Sequence, residues 1–336
     1  MAWYHIPGND QDVVISTRVR LARNLAEYPF VTRLDASRAK EIVNRMGNIL
    51  EKNGFSRIDF SDISRGTAQS LVEKHYASPT FVSESLPHAL FLNEPCNLSV
   101  MVCEEDHLRL QCMLSGFSLQ DAYAGVGRIE AQLDEEITFA FDPQLGYLTG
   151  CPSNIGTAMR ASVMLCLPML TSGGRLDSLA LQLGQMGLLL RGMYGEGRSS
   201  LGCIYQLSNR VTLGLTEEEI VERVFHAASE IMVMERRLRT STGGVERDKL
   251  TDRIQRSEGI LRYAHTLTST EMLERLTDLR LGASMGLNDV RVDTMTSLLI
   301  EGMPATLSLL HENPPKQDLE REIIRAKVVR EKLFGA

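Results

Sequence analysis

The sequence predicts an α+β chain in two parts, a mixed sheet-and-helix region over about residues 13–215 and a helical region from about residue 250 onward. In the first part, short runs rich in Val, Ile and Leu alternate with turn residues and a few helical patterns. After a break at residues 241–244 the apolar residues recur at helical spacing. With 336 residues, 43% of them hydrophobic, the chain is long enough for two domains with full cores. We place them at residues 1–245 and 246–336.

The elements follow in order. Residues 12–15, three of them β-branched, read as a strand running into Ser16-Thr17-Arg18-Val19-Arg20-Leu21-Ala22-Arg23-Asn24. Residues 36–51 have a helical pattern, and residues 98–102 form an apolar run that leads into a charged segment. A turn of Pro, Ser, Asn and Gly at residues 152–156 precedes an apolar stretch that reads as a helix beginning near Ile155. Residues 188–190 read as a strand. Thr216 and Glu219 have capping-box spacing, with Ile220, Val224, Ala227, Ile231 and Met234 following at helical spacing. Asn313-Pro314-Pro315 interrupts the tail before a last, highly charged helix from Gln317.

The formal net charge is -7, with 29 arginines against 7 lysines, so nothing marks the chain as a nucleic-acid or membrane binder. The six cysteines form no C-x-x-C pair, the N-terminus lacks a signal-peptide apolar core, and no apolar run approaches the roughly 20 residues that cross a bilayer. A soluble, reduced, cytoplasmic protein is expected.

Four stretches carry potential chemistry. Arg18 and Arg20 share a strand face, either as a paired anion site or as a solvated face. By the same alternation Glu105, His107, Arg109 and Gln111 share a face, either functional or a salt-bridge ladder. Residues 151–160 would place free helix-start amides beside Arg160, or simply a space-filling Cys151 beside a capped helix. Arg191 leads from a strand into a glycine-punctuated loop with Glu196, which by itself is an ordinary hairpin loop. The phosphate loop of P-loop enzymes, the protein-kinase triplets and the H-E-x-x-H zinc motif are absent.

Taken in order, S-T-R-V-R, E-E-D-H-L-R, C-P-S-N-I-G-T-A-M-R and R-G-M-Y-G-E resemble the phosphagen (guanidino) kinases over about residues 13–220. The resemblance implies an antiparallel sheet flanked by helices, followed here by a C-terminal all-α domain. It implies ATP and Mg2+ as cofactors, with Arg18, Arg20, Arg109, Arg160 and Arg191 around the nucleotide phosphates. It also implies Glu105 and Glu196 as the clamp on the acceptor guanidinium and Cys151 beside it; no acidic pair in the sequence identifies a protein ligand for the metal. Phosphoryl transfer asks a protein mainly for positioning and charge neutralisation, and a guanidinium with a pKa of about 13 needs carboxylates to align it and draw off a proton.

S-T-R-V-R begins at Ser16, without the helical domain that precedes it in kinases for small guanidino compounds, and a helical module follows instead. This arrangement is similar to the McsB-type protein arginine kinases. That likeness implies protein substrates bearing exposed arginines, proteolytic marking by a ClpC-type unfoldase, a CtsR-type repressor as target and a McsA-type activator. It implies a homodimer or higher oligomer, for which Leu273, Leu276 and Leu279 would supply the partner surface. A phosphoarginine pocket of form R-D-x-x-R-A corresponds to Arg321, Glu322, Arg325 and Ala326, with glutamate in the aspartate's place; the alternative is a solvated charged helix. A kinase for free arginine and a silent phosphoarginine-binding adaptor stay open as other functions.

Overall fold

The computed structural model describes residues 2–193, 200–311, 315 and 317–335. The chain enters β1 (Val14–Arg23), turns, and forms α1 (Ala36–Lys52). Asp35 caps α1 by accepting from the Arg38 amide, and Ile42, Val43, Met46, Ile49 and Leu50 recur at helical spacing on its buried side. Next come β2 (Phe55–Asp59), α2 (Arg65–Glu73), α3 (Pro79–Val82), β3 (Ala89–Asn93), β4 (Leu98–Val102) and β5 (Leu108–Ser115). After α4 (Leu119–Asp134), a small hairpin of β6 (Phe141–Asp142) and β7 (Gly146–Tyr147) leads to β8 (Met159–Cys166). Then follow α5 (Pro168–Ser172), α6 (Leu176–Gln185), β9 (Leu188–Gly192) and β10 (Ile204–Asn209).

Eight of these strands form one sheet in the order β2-β3-β4-β5-β1-β8-β10-β9, antiparallel at every pairing. Val19, Leu21, Leu110, Cys112, Ala161, Val163 and Leu207 point to one face and are buried beneath α1, α4 and α7 (Glu217–Ser241). The capping box expected at Thr216 and Glu219 starts α7. The break after it is real: α7 ends at Ser241 and α8 (Gly244–Tyr263) begins at Gly244. The remaining helices are α9 (Ser269–Ser284), α10 (Val292–Glu301), α11 (Pro304–Leu309) and α12 (Asp318–Phe334).

Three expectations fail. The apolar stretch after residue 155 is β8, a strand, preceded by a single 3-10 turn at Pro152–Asn154. A short apolar run has no decisive period, and β1 and β10 offer it a hydrogen-bonded ladder on both sides. No helix start therefore stands beside Arg160. Second, β5 begins only at Leu108, because Cys103 at φ 63° opens a tight turn closed by Cys103 N–H to His107 O at 2.8 Å. The alternation thus joins Arg109 and Gln111 but not Glu105 and His107. His107 is buried, its Nδ1 accepting from the Leu25 amide at 3.0 Å and its Nε2 lying 2.9 Å from Pro29 O. Third, Leu273, Leu276 and Leu279 are buried within the chain, packed with Ile15, Met164, Cys166 and Ile204 of the sheet region. Their partner surface is the chain's own sheet, so they give no support to a dimer interface.

Candidate active site

Register builds the site. Arg20 of β1 lies opposite Gln111 of β5 and Arg160 of β8, while Ala22 lies opposite Arg109. Arg18 lies opposite Ser162, which lies opposite Ser208 of β10; Gln206, two residues before Ser208, lies opposite Arg191 of β9. Residues opposite one another, or two apart along a strand, share a sheet face. All five arginines expected around the phosphates therefore project from one face, across β5, β1, β8 and β9. Apolar clusters bound this field on both sides, one around Met101, Met113 and Phe81 and the other beneath the tail helices.

The field is strongly cationic. Burial, then the guanidiniums of Arg109, Arg160 and Arg191, pushes the Arg18 pKa down to about 10. Arg20 is lowered well below its ordinary value by burial and then by Arg18, Arg109 and Arg160, with Glu104 acting in opposition. Arg160 is lowered by burial, Arg191 and Arg109. Among the described residues no carboxylate lies within ion-pair distance of Arg18, Arg20 or Arg160, and the Nε atoms of Arg18 and Arg160 are buried without a hydrogen-bond partner. Clustered guanidiniums that repel one another and hold unused donors suit a polyanion. Arg160 Nη2 donates to Ser208 Oγ at 3.2 Å and Arg191 Nη2 to Gln206 Oε1 at 3.0 Å, which orients both forks.

Arg109 is held differently. Buried Glu104 lies 2.6 Å from its Nη1, and the half-exposed Glu105 carboxylate 3.4 Å from its Nη2. Asp106 Oδ1 accepts from Asn24 Nδ2 at 2.7 Å and from the Gly150 amide at 2.6 Å, which ties this turn to the loop bearing Cys151. A Cβ at Gly150 would stand 2.8 Å from Glu105 O, so only glycine permits the approach. Thr212 holds the loop's other end, its Oγ1 donating to Ile155 O at 2.8 Å and its carbonyl accepting from Thr157 N at 3.0 Å. A cavity of about 450 Å³ results, into which Glu105, Cys151, Arg20, Arg109 and Arg160 project. Cys151 Sγ lies 3.0 Å from Ser153 Oγ. A second cavity of about 780 Å³ shares Arg20 and adds Arg18, Arg191, His75 and, from the tail, Met303.

Residues 38–238 match the ATP:guanido phosphotransferase C-terminal catalytic domain, and residues 247–335 match the protein-arginine kinase McsB C-terminal domain. The protein-arginine kinase of Brevibacillus brevis is 39% identical over 98% of this chain and 94% of its own. That of Desulforamulus reducens is 37% identical over 98% of this chain and 95% of its own. The chain belongs to the protein-arginine kinase family. Among solved structures, the duplicated taurocyamine kinase of Schistosoma mansoni with bound transition-state-analogue components aligns with a TM-score of 0.62 at 26% identity, over 80% of this chain and 40% of that one. Lombricine kinase aligns with a TM-score of 0.61 at 22% identity, over 70% of this chain and 69% of that one, a likeness of fold.

Within this member of the family, Glu196 falls outside the described residues. In the C-terminal region, Arg325 is buried, donating from Nε to Gly302 O and from Nη1 to Leu267 O, both at 2.7 Å. Ala326 packs in the tail core, Arg321 pairs with Asp318, and the Glu322 carbonyl accepts from the Leu267 amide at 3.1 Å. The sequence reading passed over Glu104, Ser208, Gln206 and Thr212. Glu104 had a usable signal: it stands beside Glu105 at the end of an apolar run, where a second carboxylate can turn inward. The others are ordinary polar residues whose importance arises only from strand register.

Proposed function

We propose that this enzyme transfers the γ-phosphoryl group of magnesium-bound ATP to a guanidinium nitrogen of arginine side chains in proteins. The observation that carries the reading is the convergence of five arginines on one sheet face with Glu105 and Cys151 at its edge. The triphosphate lies across the arginines, and the larger cavity, with Arg18, Arg191 and His75, takes the nucleoside. Glu105 aligns the acceptor guanidinium at the smaller cavity and accepts its proton. As the N–P bond forms, the bond from the γ-phosphorus to the β,γ-bridging oxygen breaks and ADP departs, with the arginines bearing the charge of the transferring group. Magnesium readily binds through phosphates and water, and on this reading the ion would be held chiefly by the nucleotide.

The family relatives named protein-arginine kinases support a protein rather than a free amino acid as acceptor. Among the described residues no helix is long and apolar enough to cross a membrane. We place the protein in the cytoplasm, marking substrates for a ClpC-type unfoldase, modifying a CtsR-type repressor, working with a McsA-type activator and assembling at least as a homodimer. Arg321 and Glu322 supply the reachable part of a phosphoarginine pocket, which Arg325 and Ala326 support from within.

The experiment is to incubate the chain with ATP and Mg2+ and to offer free arginine and an arginine-rich protein in separate reactions. Acid-labile phosphate should appear on the protein. Phosphate on free arginine alone would favour a small-molecule kinase, and phosphoarginine binding without transfer to either would favour the adaptor.

A further inference from the structure

We infer that the groove between the β6–β7 hairpin and the N-terminus of α7 receives the substrate polypeptide beside its acceptor arginine, and that it selects a cationic residue next to an apolar one. The inference rests on the reading of the enzyme as a protein-arginine kinase.

The groove has a volume of about 420 Å³ and is walled by the same two segments that wall the acceptor cavity. Cys151, Ser153, Asn154 and Ala158 face the cavity, whereas Gly156 and Thr157 face the groove. Likewise Thr212 lines the cavity and Leu213, Gly214 and Leu215 line the groove. A chain that delivers an arginine into the cavity therefore carries its neighbouring residues past the groove. A free amino acid has no such neighbours.

The groove's chemistry sets what those neighbours should be. Phe141, Leu145 and Leu213 are 57%, 45% and 51% exposed, a concentration of large apolar side chains around one depression. Glu130, Glu217 and Glu218 line it, and the fully buried Arg23 side chain bonds Glu130 at 2.5 Å and Glu217 at 2.9 Å while its guanidinium stacks 3.5 Å from the Tyr147 ring centre. Two carboxylates thus share one guanidinium, and a third, Glu218, lines the groove beside them. Burial raises the Glu217 carboxyl, with Arg23 opposing and Glu130 adding to the rise. Glu218 is exposed, and its carboxylate accepts from the Tyr123 hydroxyl at 2.9 Å but pairs with no cation among the described residues. A lysine or arginine of the incoming chain would complement this excess charge, and an apolar neighbour would cover Phe141 and Leu145.

The test uses the full chain with Mg-ATP and four acceptors: peptides whose arginine is flanked by Lys-Leu, by Glu-Leu or by Gly-Ser, and N-acetylarginine amide. The parent should show a KM for the Lys-Leu peptide lower than for the Glu-Leu peptide by on the order of tenfold. Glu218→Lys should reverse that order, and Phe141→Ser with Leu145→Ser should raise KM for both Leu-containing peptides. Turnover of N-acetylarginine amide should stay unchanged in all of them, which also reports that the variants fold. Equal KM values for the three peptides in the parent, or an unchanged preference in Glu218→Lys, would overturn the groove. A parent that phosphorylates N-acetylarginine amide but no peptide would instead overturn the protein-kinase reading and the groove with it.

Discussion

Buried Glu104 fixes the Nη1 side of Arg109 at 2.6 Å, and on the proposed reading this leaves the rest of the fork for phosphate. If Glu104 positions Arg109 in this way, Glu104→Gln should weaken nucleotide affinity together with turnover, up to about 100-fold in rate as misplacement of Arg109 propagates to the transferring group. An intact nucleotide Kd and rate in that variant, measured by calorimetry and steady-state kinetics, would remove Glu104 from the site. Two histidines set a pH limit at the same scale. Burial and then Arg18 push His75 down to about 3, and burial dominates the lowering of His107. Each is neutral when folded but takes up a proton when unfolded below about pH 6.5. The unfolded chain then binds more protons, so stability should fall as pH drops from about 6.5 toward 3 by on the order of 1 kcal/mol per pH unit from His75, with His107 adding a loss of the same sign. Urea midpoints between pH 7 and pH 4.5 check this, and a flat profile would contradict it.

The loop over residues 151–158 shows the same dependence among elements. Its hydrophobic content says nothing of its path; the path comes from Asp106, which bonds the Gly150 amide, and from Thr212, which holds its far end. Gly150→Ala would drive a Cβ to 2.8 Å from Glu105 O and separate the turn bearing Glu105 from the loop bearing Cys151. We expect phosphoryl transfer to fall by at least about tenfold while nucleotide affinity changes little, because the arginines on the strands are untouched. Loss of both together, or of neither, would show that the two loops do not jointly shape the acceptor cavity. The strand β8 carries a related lesson. Its eight residues satisfy a helix reading or a strand reading equally well until β1 and β10 are placed on either side.

Across the whole molecule, the tail is part of the sheet's covering. Met272, Leu276 and Leu279 pack on Met164, Cys166 and Ile204, the Arg280 fork bonds Thr296, and both oxygens of Glu73 accept from the start of α11. Deleting the chain from residue 250 would therefore bare an apolar flank of the arginine-bearing face. Such a truncated chain should aggregate or melt well below the full protein, and Leu276→Ala alone should cost about 2–5 kcal/mol. A monodisperse truncated chain with an undiminished Tm would show instead that the two parts fold independently.

From the sequence alone came the α+β class, the helical tail and the α7 cap, because capping and periodicity are local properties of the chain, and, through the resemblance of four short motifs to the phosphagen kinases, five arginines, Glu105 and Cys151 as candidates. Whether Arg18, Arg20, Arg109, Arg160 and Arg191 meet was not local: it required the register of five strands, which places Arg20 against Arg160 and carries one face from β5 to β9. For Glu104 the sequence could signal that one of two adjacent carboxylates turns inward, but only the turn at Cys103 decides which one. The tail leucines had an apolar stripe legible in the sequence, but a stripe specifies that a partner exists and not which one. Tertiary structure supplied the chain's own sheet, because apolar burial is non-directional and is satisfied by whichever surface the fold brings within reach.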